Sequence, residues 1–263
     1  MTRKRFLSAS VKTGEEYVIL RGAEAHHAGT VLRLERGDAV EAGDGRGRVW
    51  HGIVSDVGGD EVRIQLIEEI RVENESPVDA MLALSFARAD RMELALRQAT
   101  ELGAGRFVAF RAARSQYGLT GEQAGKRLER WRRIADQALC QCGRTMAPRI
   151  AILENTREFL ESVRQWEIED GTSLKMVAFE GPGCGSVLSL RRSFPVCRRA
   201  LAAVGPEGGW ERGEVDQFIE AGFHPVHLGP RILRLETAAT AFLTTIQLLW
   251  GDLGDILSEG IKP

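Results

Sequence analysis

The sequence predicts an α/β protein in which a parallel-sheet domain follows a small β-barrel-like domain. Three observations carry this. From about residue 76 onward, short apolar stretches alternate with amphipathic helical patterns, the mark of a parallel sheet covered on both faces. The first 75 residues instead hold β-rich or alternating segments separated by glycine turns. Between them "RVENESPV" is polar and carries a proline, which places the boundary between domains 1–75 and 76–263.

In the first part, "YVIL", "DAVEAG", "RVWHGIVSDV" and "EVRIQLIEEI" are expected strands, with "GDGRG" and "GGD" as turns. "GAEAHHAGTVLRL" interrupts them with a short helical pattern. In the second part "AMLALSFA", "RFVAF", "RIAIL", "LKMVAFE", "RALAAVG" and "HPVHLG" are expected strands. The helices between and after them are "RMELALRQATELG", closed by Gly103, then "GEQAGKRLERWRRIADQALCQCG", "TREFLESVRQW", "ERGEVDQFIEAG" and "ETAATAFLTTIQLLW". "SVLSLRRSF" is too short for a full crossover helix.

Hydrophobic content of 43% and charged content of 27% fit a soluble globular protein. No apolar run reaches the roughly 18 residues of a membrane span, and the basic opening lacks the apolar core of a secretory signal. Four cysteines (Cys140, Cys142, Cys184, Cys197) fit neither a disulfide framework nor a zinc pattern, so reduced thiols in a cytoplasm are expected. His26 and His27 have no third ligand at a suitable spacing; one buried and one RNA-facing histidine, with no metal, is the expectation. Net charge is −2, yet residues 81–150 hold 13 Lys and Arg against 6 acidic residues. Arginine dominates the basic residues, and its planar fork suits phosphates and bases. A solvated helix face is the competing explanation.

"VGPEGGWERGEV" and "LGPRILRLETAATA" both follow expected strands. Ligands of open parallel sheets bind at the carboxyl ends of strands. Gly205, Gly208 and Gly209 remove Cβ atoms and let backbone approach a flat ligand, while Pro206 and Pro230 stiffen the loops. Ordinary strand-ending turns explain either loop alone. A phosphate loop is absent, and the G-P-G-C-G after "KMVAFE" is an incomplete dinucleotide fingerprint.

These loops closely resemble the two signature loops of the 16S ribosomal RNA uridine-N3 methyltransferases, within the SPOUT superfamily. "AEAHHAGTVLRLERGD", "RMELALRQATELG" and "ALCQCGRTMAP" resemble further segments of that family in the same order, so the likeness spans nearly the whole chain. It implies a PUA-like RNA-binding barrel, a deep C-terminal trefoil knot, a homodimer, and S-adenosyl-L-methionine as cofactor. The implied cofactor contacts are Phe179, Glu180, Gly205, Pro206, Glu207, Gly208, Gly209, Leu228, Gly229, Ile232, Leu233, Arg234, Thr237 and Ala238. The implied reaction is methylation of uracil N3 in 16S rRNA of the small ribosomal subunit, at the family's position 1498 in the decoding region. A SPOUT enzyme acting on another RNA, and an RNA-binding module with a vestigial cofactor site, are the alternatives.

Uracil N3 must lose its proton, and a fixed positive charge near O2 or O4 stabilises the anion that results. Arg234 is the first candidate for that charge. Arg114 is the second, matching the arginine of the family's "SER" segment. Glu236 is either a helix-start carboxylate or a group that orients the cofactor or accepts the proton. Candidate RNA contacts are His27, Arg33, Arg91, Arg114, Arg132, Arg133 and Arg144, with Trp131 expected in the core. Three departures from the family pattern bear on the RNA contacts: Gln98 in place of a lysine, Ala112-Ala113 before Arg114, and Cys140 in place of a glutamate.

Overall fold

A computed structural model describes residues 4–8, 11, 14–119, 121–171 and 173–254. They form two compact units: 1–75 with 136–147, and 76–135 with 148–263. The segment 136–147 thus belongs with the first unit, although it follows 60 residues of the second in sequence.

The first unit is a five-stranded sheet of β1 (Lys4–Leu7), β2 (Tyr17–Arg21), β3 (Ala39–Gly43), β4 (Val49–Gly58) and β5 (Glu61–Ile70). Its order is β1-β3-β4-β5-β2; β1 runs parallel to β3 and the other pairs are antiparallel. The β1 strand has no counterpart among the sequence expectations, because its basic residues hide the alternation. Phe6, Val18, Leu20, Val40, Ala42, Trp50, Val54, Val62 and Ile64 alternate inward as its core. Helix α1 (Ala23–His26) runs into a single π turn over His27–Val31. Both histidines are exposed, so the expected buried histidine is not there. The turn buries Ala25 and Ala28 instead, and adjacent helical positions flank that small-residue contact without entering it.

The second unit carries a seven-stranded, wholly parallel sheet. Its strands are β6 (Asp79–Ser85), β7 (Ala104–Phe110), β8 (Arg149–Leu153), β9 (Leu174–Ala178), β10 (Gly185–Ser186), β11 (Arg199–Val204) and β12 (His224–His227), in the order β10-β12-β9-β11-β6-β7-β8. The helices are α2 (Ala89–Glu101), α3 (Gly121–Cys142, whose residues from Asp136 on belong to the first unit), α4 (Thr156–Asp170), α5 (Val187–Ser193), α6 (Arg212–Glu220) and α7 (Leu235–Trp250). The strands are apolar on both sides. Leu82, Leu84, Ala200 and Ala202 pack with Met92, Leu96, Trp131, Phe242 and Ile246 on one face. Met81, Ala83, Leu201 and Ala203 pack with Phe159, Val163, Trp166, Val215 and Phe218 on the other. Alternate residues of one strand serve opposite layers, as the pleat requires. The "SVLSLRRSF" stretch, too short for a full crossover helix, holds the seven-residue α5, started by the Ser186 side chain accepting from Ser189 N.

Arg144, expected to face RNA, is buried in the first unit. Its guanidinium donates from Nε and Nη2 to Glu75 Oε2 at 3.0 and 2.8 Å. Glu75 Oε1 accepts from Thr145 N at 2.6 Å and Met146 N at 3.0 Å. Arg5 Nη1 donates to the carbonyls of Gly143 and Arg144. The polar "RVENESPV" stretch is therefore an anchor for 143–146. Along α3, the Cys140 thiol is pushed up to about 12 by burial, reinforced by Asp136 and Glu24. It is an inert thiol at neutral pH.

Burial alone would raise the Glu75 carboxyl, but the Arg144 fork and the Thr145 and Met146 amides outweigh it and hold it below the ordinary value. A depressed folded-state pKa gives stability that is complete above the unfolded value and lost as pH falls through the folded one. Glu75→Gln should lower stability at neutral pH by about 1–3 kcal/mol and flatten the acid-side loss. Denaturant melts from about pH 6 down to about pH 3 check this; an acid limb as steep in the variant as in the wild type contradicts it.

Candidate active site

Strands β12, β9 and β11 are neighbours, so the loops that leave their carboxyl ends lie side by side. Those loops are 179–184, 205–211 and 228–234. The two stretches singled out in the sequence are thus brought together, and the "GPGCG" segment joins them as a third wall.

Trp210 locks two of the loops. Its Nε1 donates to Ala178 O at 2.8 Å, at the end of β9. A Cβ on Gly205 would stand 2.8 Å from the Trp210 ring, so that glycine makes room for the indole. Gly208 makes a second close approach, since its Cβ would meet Arg114 Cβ at 3.2 Å and the Arg114 carbonyl at 3.4 Å. Gly209 has φ +70°, and its N–H donates to Pro206 O at 2.8 Å, closing a tight turn. The sequence suggests ligand approach as the reason for these glycines; within the chain itself, Gly205 and Gly208 also admit the Trp210 ring and Arg114.

Glu214, which the sequence reading missed, ties three strand ends together from a buried position in α6. Its Oε1 accepts from Ala113 N (3.0 Å) and Thr156 Oγ1 (2.7 Å), and its Oε2 accepts from Glu211 N (3.1 Å). The signal for it was present: Glu214 stands three residues after the Glu211 that starts α6, the capping-box spacing.

In the first loop Phe179 is half-buried and donates its N–H to Val226 O at 3.0 Å, while Glu180 is exposed. In the second, Pro206 is buried, and Glu207 pairs with Arg91 at 3.0 Å. In the third, Leu228 and Leu233 are half-buried, and Gly229 has φ +97° and donates its N–H to His227 Nδ1 at 3.2 Å. Ile232 is 89% exposed, an apolar side chain left bare. Arg234 is the exposed N-cap of α7, Thr237 is exposed, and Ala238 is buried in the core, so Ala238 can offer a ligand only its backbone. Glu236 has one buried carboxylate oxygen, Oε2, with no hydrogen-bond partner among the described residues. A buried acceptor left unmade is costly, and it marks a place where a donor fits.

Arg114 reaches the same loops: its Nη1 donates to Gly208 O at 3.4 Å, and its Nε lies 3.9 Å from Glu211. Gln98 accepts from Thr240 Oγ1 on α7 at 2.9 Å, so this departure from the family pattern lies in a helix contact.

The other candidate RNA contacts are scattered. His27 and Arg33 are exposed on the first unit, and Arg33 has φ +50°, a left-handed conformation that is uncommon for arginine. Arg132 and Arg133 are exposed on α3, whereas Trp131 between them is buried, as expected. Part of the basic excess of 81–150 is balanced in space by carboxylates from outside that window. Arg91 meets Glu207, Arg106 meets Asp79 and Arg144 meets Glu75. No cluster of metal-ligating side chains occurs among the described residues.

A wholly parallel sheet with three loops at adjacent strand ends defines an α/β protein with a candidate ligand site at those ends, in a chain that also carries a small β unit. The family model described as an RNA methyltransferase domain matches residues 74–247, and that of an RNA methyltransferase PUA domain matches 20–67. The chain belongs to this RNA methyltransferase family. The ribosomal RNA small subunit methyltransferase E of Synechocystis sp. is 33% identical over 93% of this chain and 77% of its own length. That of Bacillus subtilis is 31% identical over 89% of this chain and 92% of its own. The crystal structure of the Neisseria gonorrhoeae enzyme of that name, bound to S-adenosyl methionine, superposes with a TM-score of 0.84 at 30% identity, covering 95% of this chain and 99% of that one.

Gly205→Ala should lower stability by about 1–3 kcal/mol through overpacking against Trp210. Adding Trp210→Phe should recover part of that loss, because the smaller ring leaves room for the methyl group. Melting of the two single variants and the double variant checks this; strictly additive losses would show that the two groups do not press on one another.

Proposed function

We propose that this chain uses S-adenosyl-L-methionine to methylate N3 of a uracil in 16S rRNA, with the small ribosomal subunit as its setting and the family's position 1498 as its target. The observation that carries the reading is the juxtaposition of the three strand-end loops beside Arg114 and Arg234. The likeness to a relative bound to S-adenosyl methionine supports the choice of cofactor.

The residues present suit that cofactor. Glu236 supplies an unpartnered buried acceptor, Ile232 and Leu233 supply apolar surface for a purine, and backbone along 205–209 and 228–233 supplies polar groups at close range. When bound, the sulfonium supplies an electrophilic methyl group. The chain's own part is orientation and charge. Arg234, held at the start of α7, places positive charge where the uracil anion develops, and Arg114, held against Gly208, is the second such group. Glu236 fits the role of a cofactor-orienting carboxylate. Flanking RNA is held by Arg132 and Arg133 on α3, and by His27 and Arg33 on the PUA unit.

The C-terminal topology supports a trefoil knot. β12 lies between β9 and β10, so the 179–184 connection must bridge it, while α7 returns to pack against β11 and β6. The bare Ile232 fits a partner chain closing over the loops, in keeping with a homodimer. The free cysteines, and the absence of a membrane-length apolar helix among the described residues, accord with a cytoplasmic setting.

In-vitro methylation of small subunits and of naked 16S rRNA, with mass-spectrometric location of the product, tests the reading; product on another base or another RNA overturns the assignment. Arg234→Ala should reduce kcat by about 100-fold while leaving cofactor affinity within about threefold. A variant that loses affinity and keeps kcat would reassign Arg234 to cofactor binding. Reversing charge at Arg132 and Arg133 together should lower the slope of log K against log salt by about two. An unchanged slope would remove both from the RNA face.

A further inference from the structure

Two cavities in the second unit share a wall at the start of α2. One, of about 710 Å³, is lined by Glu93, Gln123, Lys126 and Arg130. The other, of about 450 Å³, lies just past the carboxyl end of β6 and includes Phe86, Arg88 and Tyr117. Ala89, Asp90, Leu119 and Arg127 line both, so the two form one open groove between α2 and the first turns of α3. Its charged lining is four cations, Arg88, Lys126, Arg127 and Arg130, against two carboxylates, Asp90 and Glu93. Lys126, Arg127 and Arg130 share one side of α3 because residues three and four apart are neighbours on a helix. Arg132 and Arg133 line neither cavity.

The cations are held in a way that an ordinary solvated helix face does not require. Glu93, with its side chain 16% exposed, accepts two bonds from Arg130, from Nε at 2.6 Å and from Nη2 at 2.7 Å. Arg127 Nη1 stands 3.7 Å from the same carboxylate. One carboxylate thus meets two guanidiniums and neutralises one. The Arg130 side chain is 59% exposed, and the two bonds use two of its five N–H donors. Glu93 fixes the orientation of that guanidinium, so little side-chain freedom is left to lose when a further acceptor binds. Lys126 and Arg88 are held only by pairs open to water on both sides, to Glu122 at 2.9 Å and to Asp90 at 2.6 Å. Such pairs are weak, so both cations can exchange a carboxylate for another anion.

Separate cations spread along an open groove suit a chain of anions better than a single ion. At one end the groove reaches Arg88, three residues before Arg91, whose guanidinium meets Glu207 of the 205–211 loop at 3.0 Å. The groove therefore leads to the candidate active site. We propose that it carries the sugar–phosphate backbone of a single-stranded segment of the substrate RNA beside the target base, with Arg88, Lys126 and Arg130 as phosphate contacts and Glu93 positioning Arg130. The proposal rests on the RNA-methyltransferase reading and adds the path by which the strand enters. Contacts of this kind set where the strand lies without reading its sequence.

Lys126→Gln combined with Arg130→Gln in the full chain tests this. Binding of oligouridine and oligocytidine of about 20 nucleotides, from about 50 to about 200 mM salt, should weaken alike for both. The slope of log K against log salt should fall by about 1.4, since each phosphate contact to a single strand contributes about 0.7. KM for 16S rRNA should rise about tenfold with kcat within about twofold. Either an unchanged slope or an unchanged KM overturns the proposal. Arg130→Lys keeps the charge but loses the fork to Glu93, so it should keep the slope and lower affinity about threefold. A slope as low as that of Arg130→Gln overturns the phosphate contact, and an unchanged affinity overturns the positioning by Glu93. Arg157→Gln removes a cation from an exposed pair with Glu161 on α4, which packs on the other face of the sheet, and should leave the slope in place. An equal loss there would show that overall charge, and not the groove, governs binding. Displacement of the oligonucleotide by poly-L-glutamate at matched charge would overturn the assignment to RNA. Methyl transfer to 16S rRNA beside an unchanged slope would remove the groove and leave the proposed function standing; a lowered slope, with no transfer to any RNA by the wild-type chain, would do the reverse.

Discussion

The candidate site depends on the packing of Trp210 against Gly205. The indole fills the space a side chain at 205 would occupy and fastens the second loop to the end of β9 through Ala178. Close packing of this kind has discrete solutions, because interiors tolerate neither voids nor overlap. With the indole seated, the Pro206–Gly209 turn is fixed, Gly208 lies against the Arg114 backbone, and Glu207 reaches Arg91. A loop with three glycines restricts its own backbone little. Its rigidity comes from outside its own sequence.

Glu214 does for the adjoining strand ends what Trp210 does for β9 and β11. One buried carboxylate takes donors from the 111–115 loop, the start of α4 and the start of α6. Charge-assisted bonds of this sort are strong when complete and costly when one member is lost. The same logic governs Glu75 in the first unit, where a carboxylate gathers Arg144 and two amides. Both are structural acids, and neither is surplus for chemistry. Glu236 differs: one oxygen is buried and has no hydrogen-bond partner among the described residues, at the head of α7, the helix that the third loop leads into.

Electrostatics show how far a count along the chain departs from charge in space. Thirteen basic residues against six acidic ones in 81–150 suggested a broad positive face. In the folded chain several of them meet carboxylates from outside that window, and Arg106 lies over the Trp166 ring at 5.1 Å. Arg144 is buried altogether. Arg132 and Arg133 remain exposed because the helical period that buries Trp131 turns its neighbours outward.

The sequence by itself determined nearly every helix and strand of the second unit, because 3.6- and 2-residue periods and glycine stops are local properties. It also marked the two glycine loops and the residues that make them resemble a methyltransferase family. It missed β1, whose pairing with β3 is a long-range contact, and α5, whose brevity defeats a periodicity test. Only the tertiary structure decided that β12 inserts between β9 and β10, that 136–147 rejoins the first unit, and that Arg144 is a buried anchor. The physical reason is common to all three. Strand order, ion pairing and the identity of the group that fills a glycine's empty side are set by which distant segments come into contact, and no local pattern of residues encodes that choice.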